Sequence, residues 1–284
     1  MAPREFTIAA LFYGDHPDLA RRCLGSILAN VPPFVVATIR LGLNAISPAT
    51  RVVLDELQAQ YQANWTFIEY EAAAAGPVPT TKYPTMRRIL YDPVQPIQTP
   101  YLVWFDDDSY IETTGHQVAS LWHEELRAGT VDLLGSKYTM ALRGGQVPWI
   151  RAQPWYGGRE VYPFMKVSFR TGGWWIARVA ALHRFDYPWS GLNHNGGDVM
   201  LGELCRQQGL RMATISPLLK SIMRINADPF GRESAATRRG YSERPIGLDY
   251  QPEPGDADDV WPGEPGGVRG GGGTASRTHA SGGP

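Results

Sequence analysis

A buried strand that runs directly into three consecutive carboxylates is the strongest constraint on this 284-residue chain. The apolar and aromatic run Tyr101–Phe105 predicts the strand, and Asp106, Asp107 and Asp108 follow it. Carboxylates held together with little hydration repel one another, so they require a cation or bound protons. Oxygen ligands favour Mg²⁺ or Mn²⁺, which usually share their coordination with substrate phosphates. The alternative is a solvated acidic turn, but the apolar strand leading into the triplet favours a metal site.

Apolar runs alternate with helical patterns through the first half of the chain. Strands are predicted at Phe6–Tyr13, Phe34–Leu41 and Trp65–Tyr70 before the acidic strand, and the last intervening helix is predicted at Lys82–Tyr91. Repeated strand–helix units predict an α/β fold with a largely parallel sheet covered by helices. Such sheets bind ligands at the carboxyl ends of their strands, where the acidic triplet would lie.

The second half of the chain has a weaker pattern. A helix from Thr113 to about Arg127 and a strand at Val131–Gly135 are followed by residues 137–166, which are rich in aromatic residues, Gly and Pro. These aromatic residues line a substrate cleft or pack under a long loop, and the pattern leaves both alternatives open.

The chain then regains a regular pattern before losing it altogether. A helix is predicted at Val199–Gln208, with Gly209 as its C-terminal cap and a last strand at Leu210–Ile215. Residues 245–284 contain 11 Gly and 6 Pro and show no apolar periodicity. We therefore predict a disordered tail there.

Charge is distributed unevenly, although the net charge of the chain is only −1. Residues 1–136 carry a net charge of −6, residues 137–244 carry +9, and residues 245–284 carry −4. A basic stretch beside an acidic one suggests an anionic partner on one side only. The basic residues do not form runs, so scattered surface arginines are the alternative.

The two cysteines, Cys23 and Cys205, both lie in helical patterns among apolar residues. This predicts buried free thiols, which suit a reducing compartment. No apolar run approaches the length of a membrane span, and no signal peptide precedes Phe6. We therefore expect a cytoplasmic protein without stable membrane association.

A second acidic position, Asp198, follows Gly196 and Gly197 at the start of a predicted helix. A carboxylate fixed there suits a general base, because the two glycines would let a substrate approach closely. The alternative is that Asp198 caps the helix N-terminus, which is the commoner role of such a residue.

Taken in order, these motifs resemble those of the GT-A glycosyltransferases, especially the family 2-like inverting enzymes. The resemblance covers roughly residues 6–216 and rests on five segments: Arg21–Leu28, Lys82–Arg88, Phe105–Asp108, Thr171–Ala177 and Asn195–Glu203. It implies the GT-A fold, which is Rossmann-like, in one domain over residues 1–244. Residues 1–136 would form the nucleotide-sugar half, and residues 137–244 would form the irregular acceptor half.

The resemblance also implies a donor and a metal. The donor would be a nucleotide sugar, with a UDP-sugar favoured, and its diphosphate would bind Mn²⁺ or Mg²⁺. Asp106 and Asp108 would bind the metal. Side chains near the nucleotide would be Asp15, Asn44, Lys82, Arg87, Asp106 and Asp107.

Asp198 would, by the same resemblance, deprotonate the acceptor hydroxyl, which attacks the anomeric carbon opposite the leaving diphosphate. The chain departs from the family in two places. No histidine lies between His194 and His279, so water, Asn226 or Asp228 would complete the metal shell. Gly197 also stands where the family usually has the first acid of a Glu-Asp pair.

The basic stretch leads to a hypothesis about the acceptor, namely DNA that carries hydroxymethylated pyrimidines. Trp149 and Trp155 would stack on an exposed base. Basic side chains would contact phosphates: Arg143, Arg151, Arg159, Lys166, Arg170, Arg224, Arg232, Arg238 and Arg239. The alternatives are a saccharide or lipid-linked glycan acceptor, a non-catalytic nucleic-acid-binding domain, and a metal-dependent phosphohydrolase.

Overall fold

The computed structural model describes residues 5–70, 82–112, 118–126, 130–190, 192 and 196–225. The strands in these ranges are β1 (Phe6–Tyr13), β2 (Val36–Asn44), β3 (Asn64–Tyr70), β4 (Tyr101–Asp106), β5 (Ser109–Ile111), β6 (Leu133–Gly135), β7 (Tyr138–Ala141), β8 (Lys166–Phe169), β9 (Trp174–Arg178), β10 (Met212–Thr214) and β11 (Met223–Ile225). The α-helices are α1 (Pro17–Asn30), α2 (Pro48–Gln60), α3 (Lys82–Leu90), α4 (Val118–Leu126), α5 (Gln146–Arg151), α6 (Val179–Arg184), α7 (Gly197–Gln208) and α8 (Pro217–Ile222).

Seven strands form one mostly parallel sheet in the order β10-β6-β9-β4-β1-β2-β3. Only β9 runs antiparallel to its neighbours, β4 and β6. Two short antiparallel pairs, β5 with β11 and β7 with β8, lie outside this sheet. The predicted α/β fold is confirmed, and the sheet joins strands from both halves of the chain.

The order of the strands creates a crevice between β1 and β4. The chain moves from β1 outward to β2 and β3, and then returns to place β4 on the other side of β1. Connections that leave two neighbouring strands in opposite directions open a crevice at their carboxyl ends, where ligands bind in sheets of this kind. Leu11 of β1 pairs with Asp106 of β4, so the acidic triplet lies at this crevice.

Strand alternation divides the core into two layers, one on each face of the sheet. Phe6, Ile8, Ala10 and Phe12 of β1 pack with α1, α2, α4 and α8. The intervening residues of β1 pack on the opposite face with α3, α5, α6 and α7. Successive side chains in a strand point to opposite faces, which explains why fully apolar strands are needed here.

Both cysteines are buried free thiols, as predicted. Cys23 belongs to the core layer of α1, and Cys205 belongs to the layer of α7. Within the part of the chain that the structure describes, no helix combines the length and apolar character needed to cross a membrane.

The prediction that the second strand ends at Leu41 is wrong, because β2 continues through Gly42 to Asn44. A Cβ atom at Gly42 would lie 2.7 Å from the Thr85 side chain and 3.0 Å from that of Ile89. The glycine therefore allows α3 to approach the sheet closely and does not mark an exit from the strand.

The second half is more regular than predicted. β7 and α5 lie within residues 137–166, and α6, α8, β5 and β11 were not predicted. The predicted helix at residues 199–208 and its cap at Gly209 are confirmed, with Gly209 at φ 67°. The first residues of the helix predicted from Thr113, and the predicted tail 245–284, lie outside the described residues.

One turn in the second half of the chain has a backbone conformation that its residue rarely adopts. Met165 N donates to Tyr162 O across Pro163 and Phe164, and Phe164 has φ 64°, as the third residue of a type II turn requires. Bulky side chains rarely adopt this conformation. Phe164 remains 64% exposed, so burial does not compensate for the strain.

Replacing Phe164 with Gly is therefore expected to stabilise the protein by up to about 1 kcal/mol. Glycine relieves the left-handed strain, and its greater freedom in the unfolded state offsets part of the gain. Urea unfolding of both proteins measures the difference. Tyr162→Gly is the control at the same turn and should destabilise the protein, because Tyr162 is absent from the residues with positive φ.

Candidate active site

The acidic end of β4 is held by an ion pair with the first residue of α3. Lys82 Nζ lies 2.9 Å from Asp106 Oδ2, and only 15% of the Lys82 side chain is exposed. Trp104 Nε1 donates to Asp106 Oδ1 at 2.8 Å. Both carboxylate oxygens of Asp106 therefore accept a hydrogen bond from this chain.

Asp107 and Asp108 form the turn between β4 and β5 and are 4% and 7% exposed. Burial and the negative charge of Asp106 together raise the pKa of Asp108 to about 7, although Lys82 acts in the opposite direction. The acidic triplet is therefore a desolvated cluster and not an ordinary solvated turn. Among the described residues, no group of three or more His, Cys, Asp or Glu side chains could by itself hold a metal ion.

Asp198 lies at the second position of α7, whose N-cap is Gly196. Asp198 therefore does not cap this helix, which was the alternative to a role as a general base. Burial raises the pKa of Asp198. The positive charge of Lys82 lowers this pKa, and the negative charge of Asp106 raises it.

Lys82 is the positive charge shared by the two acidic positions. Burial lowers the pKa of Lys82, but the charges of Asp106 and Asp198 outweigh this effect and leave the pKa raised. The ammonium group consequently remains charged throughout the pH range in which proteins are folded. The structure thus brings the triplet and Asp198 into one electrostatic site.

The two glycines before Asp198 do not both leave room for a substrate, as the sequence suggested. A Cβ atom at Gly197 would lie 2.2 Å from Cζ of Tyr83, so the tyrosine ring already covers that position. Gly196 has φ 86°, a conformation that only glycine adopts readily. Gly197 therefore serves close packing between α3 and α7.

Asp15 and Asn44 lie at the carboxyl ends of β1 and β2, beside the crevice. Asp15 is exposed, and its carboxylate accepts a hydrogen bond from Ser47 Oγ at 2.5 Å. Asn44 is fully buried, and Thr85 Oγ1 donates to its side-chain oxygen at 3.4 Å. Asp15 is therefore open to a ligand, whereas Asn44 is buried beside the same crevice, and the roles of both residues near the nucleotide stay predictions.

Arg87 is bound to another part of the chain, and its role at the nucleotide stays a prediction. Its guanidinium pairs with Asp186 at 2.8 Å and donates to Pro188 O at 2.8 Å. Arg87 lies five residues after Lys82, which places it about 140° further around the helix. It fastens α3 to the segment that precedes α7.

Several residues predicted to contact a DNA acceptor are not available for it. Arg170 is 9% exposed and donates to Phe169 O, while Trp155 is 3% exposed and stacks on Trp189. Arg224 lies 3.5 Å from Glu112. Arg232, Arg238 and Arg239, and the possible metal ligands Asn226 and Asp228, lie outside the described residues.

Glu203, which the resemblance places near the base, has a structural role. Its side chain is fully buried and accepts hydrogen bonds from Arg206 and Gln207 at 2.7 Å. Gln207 in turn binds the backbone of Gly157 and Arg159. This network fastens α7 to the loop that precedes β8.

Three side chains near the acidic residues were not predicted: Tyr13, Tyr83 and Thr171. Burial raises the pKa of the Tyr13 hydroxyl, which lies in the fields of Lys82 and Asp106. Tyr83 directly follows Lys82, and Thr171 begins the Gly-Gly segment already noted in the sequence. The sequence could have indicated Tyr83 and Thr171, because each lies beside a residue or segment that was predicted.

Comparison with solved structures identifies the fold. S. aureus TarS superposes with a TM-score of 0.50 at 14% identity, over 80% of this chain and 37% of TarS. S. aureus TarS 1–349 in complex with UDP gives 0.51 at 15% identity, over 80% of this chain and 62% of that one. Both are GT-A glycosyltransferases. The fold is the GT-A fold.

The likeness extends to the fold and not to the sequence. No protein-family model matches the chain, and no curated protein matches it either. The chain spans less than two thirds of each of these two relatives.

Proposed function

We propose that this protein is a nucleotide-sugar-dependent glycosyltransferase that inverts the anomeric centre, with Asp198 as the base. The observation that supports this proposal is that the acidic triplet and Asp198 lie in one electrostatic site at one edge of a GT-A sheet. Lys82 is paired with Asp106 at 2.9 Å, and the same lysine lies in the field of Asp198. A cation between a donor-side carboxylate and a base-side carboxylate suits a reaction that needs both.

The donor nucleotide would occupy the crevice at the carboxyl ends of β1 and β4. Exposed Asp15 and the ends of β1 and β2 would contact the nucleoside. The complex of TarS 1–349 with UDP, which has the same fold, supports a uridine nucleotide as the donor nucleotide. The ammonium group of Lys82 would attract the diphosphate.

The acidic residues also fit a divalent cation. Asp108 is desolvated, and its pKa is raised to about 7. The positive charge of Lys82 does not fully balance the negative charges of Asp106 and Asp108. Oxygen ligands of this kind suit Mg²⁺ or Mn²⁺, with substrate oxygens completing the shell. Asp108 and Asp107 would hold the ion, whereas Asp106 already binds Lys82 and Trp104. Such an ion would stabilise the charge of the leaving diphosphate.

The transfer step follows from the position of Asp198. The acceptor hydroxyl gives its proton to the Asp198 carboxylate as its oxygen forms a bond to the anomeric carbon. The bond between that carbon and the diphosphate breaks on the opposite face, and its electron pair leaves with the diphosphate. Attack on one face and departure from the other inverts the anomeric configuration.

The test is turnover of UDP-sugars and GDP-sugars by the full chain, with Mn²⁺, with Mg²⁺ and with EDTA. The acceptors are simple saccharides, unmodified DNA and DNA carrying hydroxymethylcytosine or hydroxymethyluracil. We expect one donor to be turned over and the product to have the opposite anomeric configuration by NMR. The absence of both binding and turnover for every donor would contradict the proposal.

Comparing the acceptors tests the DNA hypothesis separately from the transferase activity. Burial of Arg170 and Trp155 removes two contacts on which that hypothesis depended. Transfer to saccharides alone would discard a DNA acceptor and retain the transferase. Transfer to hydroxymethylated DNA alone would require contacts from the remaining basic residues.

A further inference from the structure

The turn that leads into Asp198 has an open side at Gly196. Beyond its neighbours in the chain, a Cβ atom at Gly196 would have one contact within 4 Å among the described residues, which is Gln146 Nε2 at 3.7 Å. Gly197 differs, because the ring of Tyr83 already covers it. Asp198 itself is only partly buried. Within the described part of the chain, an approach to Asp198 is therefore open past Gly196.

The side chain of Gln146 faces this opening, and its amide group has a defined orientation. Gln146 is the first residue of α5, and its Oε1 accepts a hydrogen bond from Arg143 N at 2.8 Å. Because a backbone N–H group needs an acceptor, this bond fixes which end of the amide is the oxygen. The Nε2 end then lies toward Gly196.

The Nε2 group of Gln146 is available to a ligand. The Gln146 backbone N–H donates to Arg143 O at 3.0 Å, and Oε1 accepts from Arg143 N, so both ends of the residue are held. Nε2 has no acceptor among the described residues, and Gln146 is only partly buried. An amide NH₂ group carries two donors, and both are left for a bound molecule.

The pair formed by Gln146 and Asp198 suits the hydroxyl groups of a sugar. An ionised carboxylate only accepts hydrogen bonds, and an amide NH₂ group only donates them, whereas a hydroxyl group does both. One hydroxyl of an acceptor sugar would give its proton to Asp198, and its neighbour on the ring would accept from Gln146. Neither side chain is positively charged, and phosphates are bound mainly by Lys and Arg. The pair therefore favours a neutral saccharide over a polyanion.

We propose that Gln146 is an acceptor-binding residue, and that its amide donates to a saccharide hydroxyl next to the one that Asp198 deprotonates. This inference rests on the proposed function, to which it adds the class of the acceptor and a group that recognises it. A site that hydrogen-bonds a substrate hydroxyl also discriminates against acceptors that lack that hydroxyl. Gln146 thereby contributes to the choice of acceptor and not to the binding of the donor.

The first measurement does not require turnover. The full chain is labelled with ¹⁵N, and the side-chain amide signals of Gln146 are assigned by their loss in Gln146→Ala. With UDP and Mg²⁺ present, the protein is titrated with the methyl glycosides of glucose, galactose, mannose and N-acetylglucosamine, and separately with 5-hydroxymethyl-2′-deoxycytidine. We expect at least one glycoside to shift the Gln146 signals. Shifts with the nucleoside alone, or with none of these probes, would overturn the inference.

The second measurement separates acceptor binding from general damage to the fold. We expect Gln146→Ala to raise acceptor KM by about 3- to 10-fold, as the loss of one neutral hydrogen bond would do, with donor KM unchanged. Gln146→Glu should raise acceptor KM at least as much, although it keeps an acceptor for Arg143 N. Gln153→Ala is the matched control and should leave acceptor KM unchanged, because the Gln153 amide donates to Trp149 O at 3.0 Å in the same segment.

The outcomes distinguish this inference from the function on which it rests. A wild-type acceptor KM in Gln146→Glu, or an equal rise in Gln146→Ala and Gln153→Ala, would overturn the role of Gln146 and leave the transferase in place. A wild-type protein that neither binds nor turns over any donor would contradict the proposed function. The glycoside titration would still decide in that case whether Gln146 binds a saccharide.

Discussion

Asp198→Asn is expected to reduce sugar transfer by roughly 10²–10⁴-fold, which is the usual contribution of a general base. The substitution keeps the size of the side chain and removes its ability to accept the acceptor proton. Donor affinity should change little, because the crevice proposed for the nucleotide lies at the ends of β1 and β4. Steady-state rates at saturating donor, together with calorimetric donor binding, measure the two effects separately.

Asp186→Asn is the matched control for this experiment. Asp186 is exposed, pairs with Arg87 and has φ 56°, a conformation that asparagine tolerates. It should retain transfer at the wild-type rate. If Asp198→Asn also retained wild-type transfer, another group would have to accept the proton, and the assignment of the base would fail.

The sheet could be predicted because its strands are apolar on both faces. β1 and β4 lie between two helical layers, and that burial produces continuous apolar runs that sequence reasoning recognises. β9 could not be placed in the same way. Its antiparallel insertion between β4 and β6 depends on pairing with distant strands, which the local sequence does not record.

The sequence predicted which types of residue form the candidate site better than it predicted which side chains point toward it. Asp106, Lys82 and Asp198 do share one electrostatic site. Arg87 was grouped with Lys82 because both are basic, but helical geometry turns it toward Asp186. Tyr83 was overlooked because a tyrosine in an apolar pattern usually belongs to the core, and its close approach to Gly197 became visible only in three dimensions.

The charge count of residues 137–244 shows a related limit of sequence reasoning. A net charge of +9 in residues 137–244 describes composition, not surface. Arg170 is buried, and Arg224 lies 3.5 Å from Glu112, which belongs to the acidic first half, so neither contributes an open positive charge. Counting charges by segment therefore overestimates the attraction of that half for a polyanion.

Metal-free protein is expected to lose stability as pH rises, and Asp108→Asn should abolish most of that loss. The pKa of Asp108 is raised from 3.8 to about 7. A carboxyl group with a raised pKa contributes stability that is fully present below its unfolded value and is lost as pH rises through its folded value. The two proteins should therefore have nearly equal stability below about pH 4 and should diverge between about pH 4 and pH 7.

Above that range the variant should be more stable by a few kcal/mol, since each pKa unit corresponds to about 1.4 kcal/mol. Urea unfolding in EDTA at several pH values measures the difference. Asp132→Asn should show no such gain, because Asp132 pairs with Arg178 at 3.3 Å. Adding Mn²⁺ at pH 8 should stabilise the wild type more than Asp108→Asn, because binding to the folded state alone raises stability and the variant lacks the ligand. If Mn²⁺ stabilised the wild type and Asp108→Asn equally, the ion would bind elsewhere. Lys82 would then be the group that balances the charge of Asp108.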